Sequence, residues 1–180
     1  MREMDKNDKM NPMNEHLYNI ILNGDLDSLK ELHKRGELTI EHVVGVRSVG
    51  LFFVAIAHGE IDVCKWFYEN YELKTKNIIK PEIAFETACW NNQIKICEWL
   101  VLTFEITKDD VLIKNNDILY WSCIMGKYKV INFLCNTIGV TEKEIKDLLH
   151  NCGKEITNKN KIKILECLPP LGSFTKPVKL

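Results

Sequence analysis

Apolar residues recur along most of the chain at spacings of three and four, which is the period of an amphipathic helix. The segment Ile61–Phe67 shows the pattern clearly, and the apolar stretch Leu51–His58 lies just before it. The longest strongly apolar run, Val49–Ala57, has nine residues, whereas a membrane-spanning helix needs about 20. The pattern therefore predicts an all-α protein that does not cross a membrane.

The helical pattern repeats along the chain. Four segments align without gaps and a fifth aligns more weakly; they begin at Gly24, Gly59, Asn92, Gly126 and Asn160, with successive spacings of 35, 33, 34 and 34 residues. Each copy has an apolar helix, a Gly or Asn turn and a second helix. A helix pair exposes apolar residues on both sides, and stacked neighbours cover them. The sequence therefore predicts a solenoid of about five stacked helix-turn-helix repeats.

Two further features have the same period. The residue four positions before each turn is Ile20, Ala55, Ala88 or Ser122, and the three small ones would let neighbouring helices approach closely. Thr-x-x-Asp or Thr-x-x-Glu follows two of the pairs, at 107–110 and 141–144, which is an N-cap pattern that predicts a short extra helix there.

The predicted array extends over residues 15–168. Its repeats lie near 15–47, 48–80, 81–114, 115–147 and 148–168. We expect a disordered N-terminal tail over 1–14, which is polar and charged, and an extended C-terminal tail over 169–180, which holds three of the five prolines.

The copies resemble the ankyrin repeat, because a helix with small residues is followed by Gly and by a Val/Ile-rich helix that ends in Trp-Leu or Phe-Leu. Segments such as Cys97–Leu100 and Phe104–Asp110 are similar to those of divergent ankyrin-like arrays in large DNA viruses of amoebae and in amoebae. The Thr-Pro-Leu-His start and the Asp-x-x-Gly hairpin of the ankyrin consensus do not occur. Tetratricopeptide repeats are the alternative, but their Trp-x-x-Leu-Gly pattern does not occur either.

The resemblance implies a protein-binding module whose concave face holds a partner protein, a host protein if the source is viral. By the ankyrin-like phase, the two residues before each turn point to that face. The central three repeats give the predicted partner-binding residues Ala57, His58, Trp90, Asn91, Ile124 and Met125. Trp66 and Trp99, with Phe133 one period later, are instead expected to pack between pairs, whereas Trp90 and Trp121 lie outside that stripe.

Composition argues against several other classes of partner and location. The net charge is −1 and lysines are interleaved with acidic residues, so nothing points to nucleic acid or to an anionic membrane. Residues 1–14 include no apolar segment of the kind found in secretory signals. We therefore expect a cytoplasmic protein, in the host cytoplasm if viral, that is a monomer.

Candidate chemistry is sparse. The seven Cys form no Cys-x-x-Cys pair, and most sit at helical spacing among apolar residues, as small buried hydrophobes do. The five His form no His-x-x-x-His motif, and neither a Gly-rich phosphate loop nor a Gly-x-Ser-x-Gly elbow occurs. We predict no catalytic residue, cofactor or metal. Two alternatives stay open: an enzyme or metal protein whose Cys and His converge in space, and a structural family member without a strong partner.

Overall fold

The computed structural model describes residues 12–45, 50–73, 79–112, 117–151 and 156–168, and every regular element in these ranges is a helix. The predicted all-α class is therefore confirmed. The chain divides into two compact units, residues 1–79 and 80–180. The division falls within one residue of the boundary predicted between the second and third repeats.

The described part of the first unit contains five helices. They are α1 (Pro12–Leu22), α2 (Leu26–Lys34), α3 (Ile40–Val44), α4 (Leu51–His58) and α5 (Ile61–Asn70). Helix α1 packs against α2 and α4, and α4 packs against α3 and α5. Because α1 begins at Pro12, residues 12–14, which the repeat boundaries placed in the tail, are helical. The rest of that predicted tail lies outside the described residues.

The second unit contains seven described helices. They are α6 (Pro81–Trp90), α7 (Ile94–Phe104), α8 (Lys108–Leu112), α9 (Asp117–Ile124), α10 (Tyr128–Phe133), α11 (Glu142–Asn151) and α12 (Asn158–Cys167). Helix α10 continues as a π-helical turn over Leu134–Ile138. Helix α9 is central, because it packs against α6, α8, α10, α11 and α12. Pro81 occupies the first turn of α6, where its missing N–H costs no helical hydrogen bond.

The sequence repeat corresponds to a repeated helical hairpin. The turn residues Gly24, Gly59, Asn92 and Gly126 all adopt a left-handed backbone, with φ of 62°, 87°, 59° and 65°. In each hairpin the backbone N–H of the residue after the turn residue donates to the carbonyl of the residue four positions before the turn residue. The four donor–acceptor distances are 3.1, 3.0, 2.9 and 2.8 Å. Ala55 and Ala88, two of those acceptors, are fully buried, so the small residues lie where neighbouring helices leave least space.

Both predicted N-caps form. The Asp110 carboxylate accepts from the Thr107 N–H at 2.8 Å, and the Glu144 carboxylate accepts from the Thr141 N–H at 2.7 Å. In return each threonine hydroxyl accepts from the N–H of its carboxylate residue, at 3.4 and 3.2 Å. Lys108 at the start of α8 also reaches Glu144 at the start of α11, with 2.8 Å between the ammonium and the carboxylate. This ion pair joins the N-terminal ends of α8 and α11.

The fifth copy departs from the predicted alignment. Asn160 is the third residue of α12 rather than a left-handed turn residue. The Thr157 hydroxyl accepts from the Asn160 N–H at 3.2 Å, so a helix N-cap, not a turn, sets the local structure. The Asn160 amide donates to the Ile124 carbonyl and accepts from the Tyr128 hydroxyl, both at 3.0 Å. Helix α12 therefore covers the end of the α9–α10 hairpin, and the tail over 169–180 lies outside the described residues.

The expected burial of the tryptophan stripe is wrong in degree. Phe133 is buried, but Trp66 and Trp99 are only half-buried. The Trp66 ring packs edge-on against His33 and Tyr71, with centroids 5.5 and 5.9 Å away. An indole held by neighbouring rings on a helix surface keeps part of its own surface in solvent.

Candidate partner-binding site

The six predicted contact residues are divided between the two units. Ala57 and His58 end α4 in the first unit; Trp90, Asn91, Ile124 and Met125 belong to the second. His58 and Asn91 are exposed, Ala57 and Ile124 are half-buried, and Trp90 and Met125 are 40% and 50% exposed.

In the first unit, the end of α4 lies next to α1. The His58 ring meets the half-buried Tyr18 ring edge to face, with centroids 6.2 Å apart and planes at 85°. His58, the residue directly before the turn residue of the second hairpin, therefore lies beside an aromatic residue of the preceding hairpin.

The second unit contains a pair of exposed tryptophans. Trp90 is the last residue of α6, and Trp121 lies on α9, which packs against α6. The two indole rings are 5.9 Å apart at 40°, and each side chain is 40% exposed. Aromatic rings at this separation attract each other, so each tryptophan positions the other at the surface.

The two tryptophans line a shallow pocket in which the centre of a water-sized molecule has about 10 Å³ of space. Ile118 and Trp121 of helix α9 form part of its wall, together with Met125, which directly follows the last residue of the helix. These three are spaced three and four residues apart, so helical periodicity places them on one face. Cys89, Ser122 and Lys127 complete the lining.

Of the four predicted residues that belong to the second unit, the pocket includes two. Trp90 and Met125 line it, whereas Asn91 and Ile124 do not. The Asn91 amide donates to the Thr87 carbonyl at 2.8 Å and so extends the end of α6. Trp121, Ile118 and Lys127 line the pocket but were not predicted. The period-three-and-four spacing of 118, 121 and 125 was a signal in the sequence that could have identified the first two.

The pocket lining combines apolar side chains with polar ones, and one of the polar side chains is a cation. Lys127 is the one charged residue in the lining, and no described carboxylate lies within ion-pair distance of its ammonium group. An exposed apolar surface beside an unpaired cation suits a ligand that has an apolar group and a carboxylate.

Two buried thiols outside the pocket, those of Cys64 and Cys135, are poorly suited to nucleophilic chemistry. Burial, reinforced by Glu60, raises the pKa of Cys64 far above its ordinary value of 9.0. Burial, with Glu144 nearby, raises the pKa of Cys135 to about 11. Because the thiolate is the reactive form, both groups are unreactive at neutral pH. Within the described ranges, no group of three or more His, Cys, Asp or Glu is arranged to hold a metal ion.

Comparisons of the chain with family models, curated proteins and solved structures found no match. The ankyrin likeness therefore rests on the residues and hairpins described above. No helix in the described part of the chain is long and apolar enough to cross a membrane.

Proposed function

We propose that this chain is a protein-interaction module, built as an ankyrin-like array of about five helix-pair repeats, and that it binds a partner protein. The observation that carries the proposal is the exposed Trp90–Trp121 pair, which lines a shallow pocket. Ankyrin-like membership is supported by the four hairpins with one shared turn geometry. If the chain is viral, a protein of the amoebal host is the partner.

The chemistry of the pocket favours binding over turnover. Tryptophan is enriched among the residues that dominate binding energy at protein interfaces, and truncating such a residue typically costs about 2 kcal/mol or more. Both indoles already have their apolar edges in solvent, so a partner that covers them gains hydrophobic free energy without first displacing a protein group. The lining offers no paired acid and base for catalysis.

The remaining parts of the proposal follow from charge and surface. A net charge of −1 and a single cation at the pocket give no basis for binding nucleic acid. We place the protein in the cytoplasm as a monomer without cofactor or metal. The competing proposal is a structural family member that has no strong partner.

Comparative capture tests the proposal. The purified chain and the variants Trp90→Ala, Trp121→Ala and Leu102→Ala are used as bait in an amoebal lysate, and each bait's fold is checked by circular dichroism. Leu102 is the matched control, because it is 52% exposed on α7 but does not line the pocket. We expect proteins that the unmodified and Leu102→Ala baits retain and that both tryptophan variants lose.

Two outcomes would reject the interaction proposal. One is the absence of any reproducible partner at micromolar bait, which favours the structural role. The other is equal capture by all four baits, which would keep a binding function but exclude this pocket as its site.

A further inference from the structure

Two positions of the repeat are buried in all four hairpins: the residue three before the turn residue and the residue five after it. The four pairs are Ile21 and Leu29, Ile56 and Cys64, Cys89 and Cys97, and Cys123 and Ile131. All eight side chains are at most 2% exposed. Only the third hairpin has cysteine at both places.

The two sulfurs of the third hairpin lie close together. Cys89 Sγ on α6 and Cys97 Sγ on α7 are 3.7 Å apart, a thiol–thiol hydrogen bond. A disulfide requires about 2.0 Å, so the two sulfurs must approach each other by about 1.7 Å, the difference between 3.7 and 2.0 Å, to form one.

Of the two buried thiols, Cys89 lies nearer to solvent. Cys89 follows Ala88 near the end of α6 and lines the pocket beside Trp90 and Trp121, whereas Cys97 is not part of the lining. A small oxidant that enters the pocket therefore meets Cys89 first.

We propose that Cys89 and Cys97 form an oxidisable dithiol, a modification site at which a peroxide converts the two thiols into a disulfide that links α6 to α7. Cys89 sulfur attacks one peroxide oxygen, the O–O bond breaks, and sulfenic acid and water form. Cys97 sulfur then attacks the sulfenic sulfur, the S–OH bond breaks, and the hydroxyl leaves as a second water after taking the Cys97 proton. Two thiols are oxidised by two electrons, and one hydrogen peroxide is reduced to two waters.

The rate has a predictable pH dependence. The hydrogen bond with Cys97, together with burial, raises the pKa of the Cys89 thiol well above its ordinary value of 9.0. Because the thiolate is the nucleophile, oxidation is slow at neutral pH and its rate rises about tenfold per pH unit through pH 9.

Thiol counting after oxidation tests the site. The folded, reduced chain is treated with excess hydrogen peroxide at pH 9, quenched, denatured and alkylated. The reduced chain takes up seven labels, one for each cysteine, and the oxidised chain is expected to take up five, which is seven minus two. Trypsin cleaves after Lys95, so a linked pair of peptides locates the bond between Cys89 and Cys97.

The repeat itself supplies control variants. Cys97→Ile recreates the Cys123 and Ile131 pairing of the fourth hairpin, and Cys97→Ala serves if isoleucine overpacks the site. Both should form no disulfide and should trap a sulfenic acid that dimedone labels. Cys64→Val leaves the pair intact and should still lose two thiols. Three outcomes would each overturn the proposal: full labelling of the oxidised chain, a disulfide between other cysteines, or the loss of two thiols in Cys97→Ala. Each of these outcomes is independent of whether the chain binds a partner.

Discussion

The Trp90–Trp121 contact can be measured without knowing any partner. Each side chain is 40% exposed, so about 60% of its surface is buried. A buried tryptophan covers roughly 200 Å², so each covers about 120 Å² here. At about 25 cal/mol/Å² this gives nearly 3 kcal/mol, and the compactness of unfolded chains lowers it to about 2 kcal/mol.

We therefore expect Trp90→Ala and Trp121→Ala each to reduce the free energy of unfolding by about 2 kcal/mol. The double variant should lose less than the sum, because the first truncation already removes the ring contact. The expected coupling is about 0.5–1 kcal/mol, in the lower part of the range for aromatic pairs since both rings are partly in water.

Urea unfolding followed by far-ultraviolet circular dichroism measures the cycle, since tryptophan fluorescence changes with the substitutions themselves. Trp90→Ala combined with Leu102→Ala is the control. Leu102 lies eight residues along α7 from Ile94, about 12 Å from the turn next to which Trp90 lies. That pair should be additive within about 0.5 kcal/mol. A Trp90–Trp121 coupling no larger than the control's would refute the argument that the two rings hold each other in place.

Substitutions at three further positions test the hairpins and their connections by the same unfolding assay. Asn92→Gly should stay within about 0.5 kcal/mol of the unmodified chain and Asn92→Ala should lose about 1 kcal/mol, since alanine is strained at φ 59°; equal effects would contradict the left-handed turn. Ala88→Leu should cost about 1–3 kcal/mol, because Ala88 is fully buried; no measurable loss would contradict the helix phase. Burial raises the pKa of Glu144, but hydrogen bonds from Lys108 and Thr141 outweigh it and hold the pKa below 4.5, so Glu144→Gln should cost under about 1 kcal/mol at pH 7. A lowered folded pKa gives stability that is present above pH 4.5 and lost as pH falls through the folded pKa, so the Glu144→Gln difference should shrink as the pH falls below 4.5. A difference that does not change with pH would contradict it.

Local signals in the sequence account for the features that were predicted correctly. A glycine or asparagine between two helical patterns is sufficient to indicate the turn at Gly59 or Asn92, because the left-handed backbone depends on that residue. The capping at Thr107 and Thr141 likewise involves residues only three apart. Such features need no knowledge of distant parts of the chain.

The features that were missed depend on tertiary neighbours. Because of its position in the repeat, Trp66 was expected to be buried. Its ring instead packs edge-on against the rings of His33 and Tyr71 and stays half-buried. Asn160 fits the repeat alignment, yet the nearby Thr157 caps α12 and places Asn160 inside the helix. The pocket requires α6 to pack against α9, which the spacing within one helix cannot reveal.

The positions of the aromatic residues within the repeat separate packing from binding. Trp66, Trp99 and Phe133 each lie seven residues after their turn residue, so that aromatic position is part of what every central hairpin needs. Trp90 lies two residues before its turn residue, and Trp121 lies five before, so the two are not equivalent. Their repeat equivalents in the neighbouring hairpins are Ile124 for Trp90 and Thr87 for Trp121. Hairpins of the same geometry therefore form without tryptophan at either place. The Trp90–Trp121 pair arises only where these two particular repeats meet, and we infer that this pair is a contact surface for a partner.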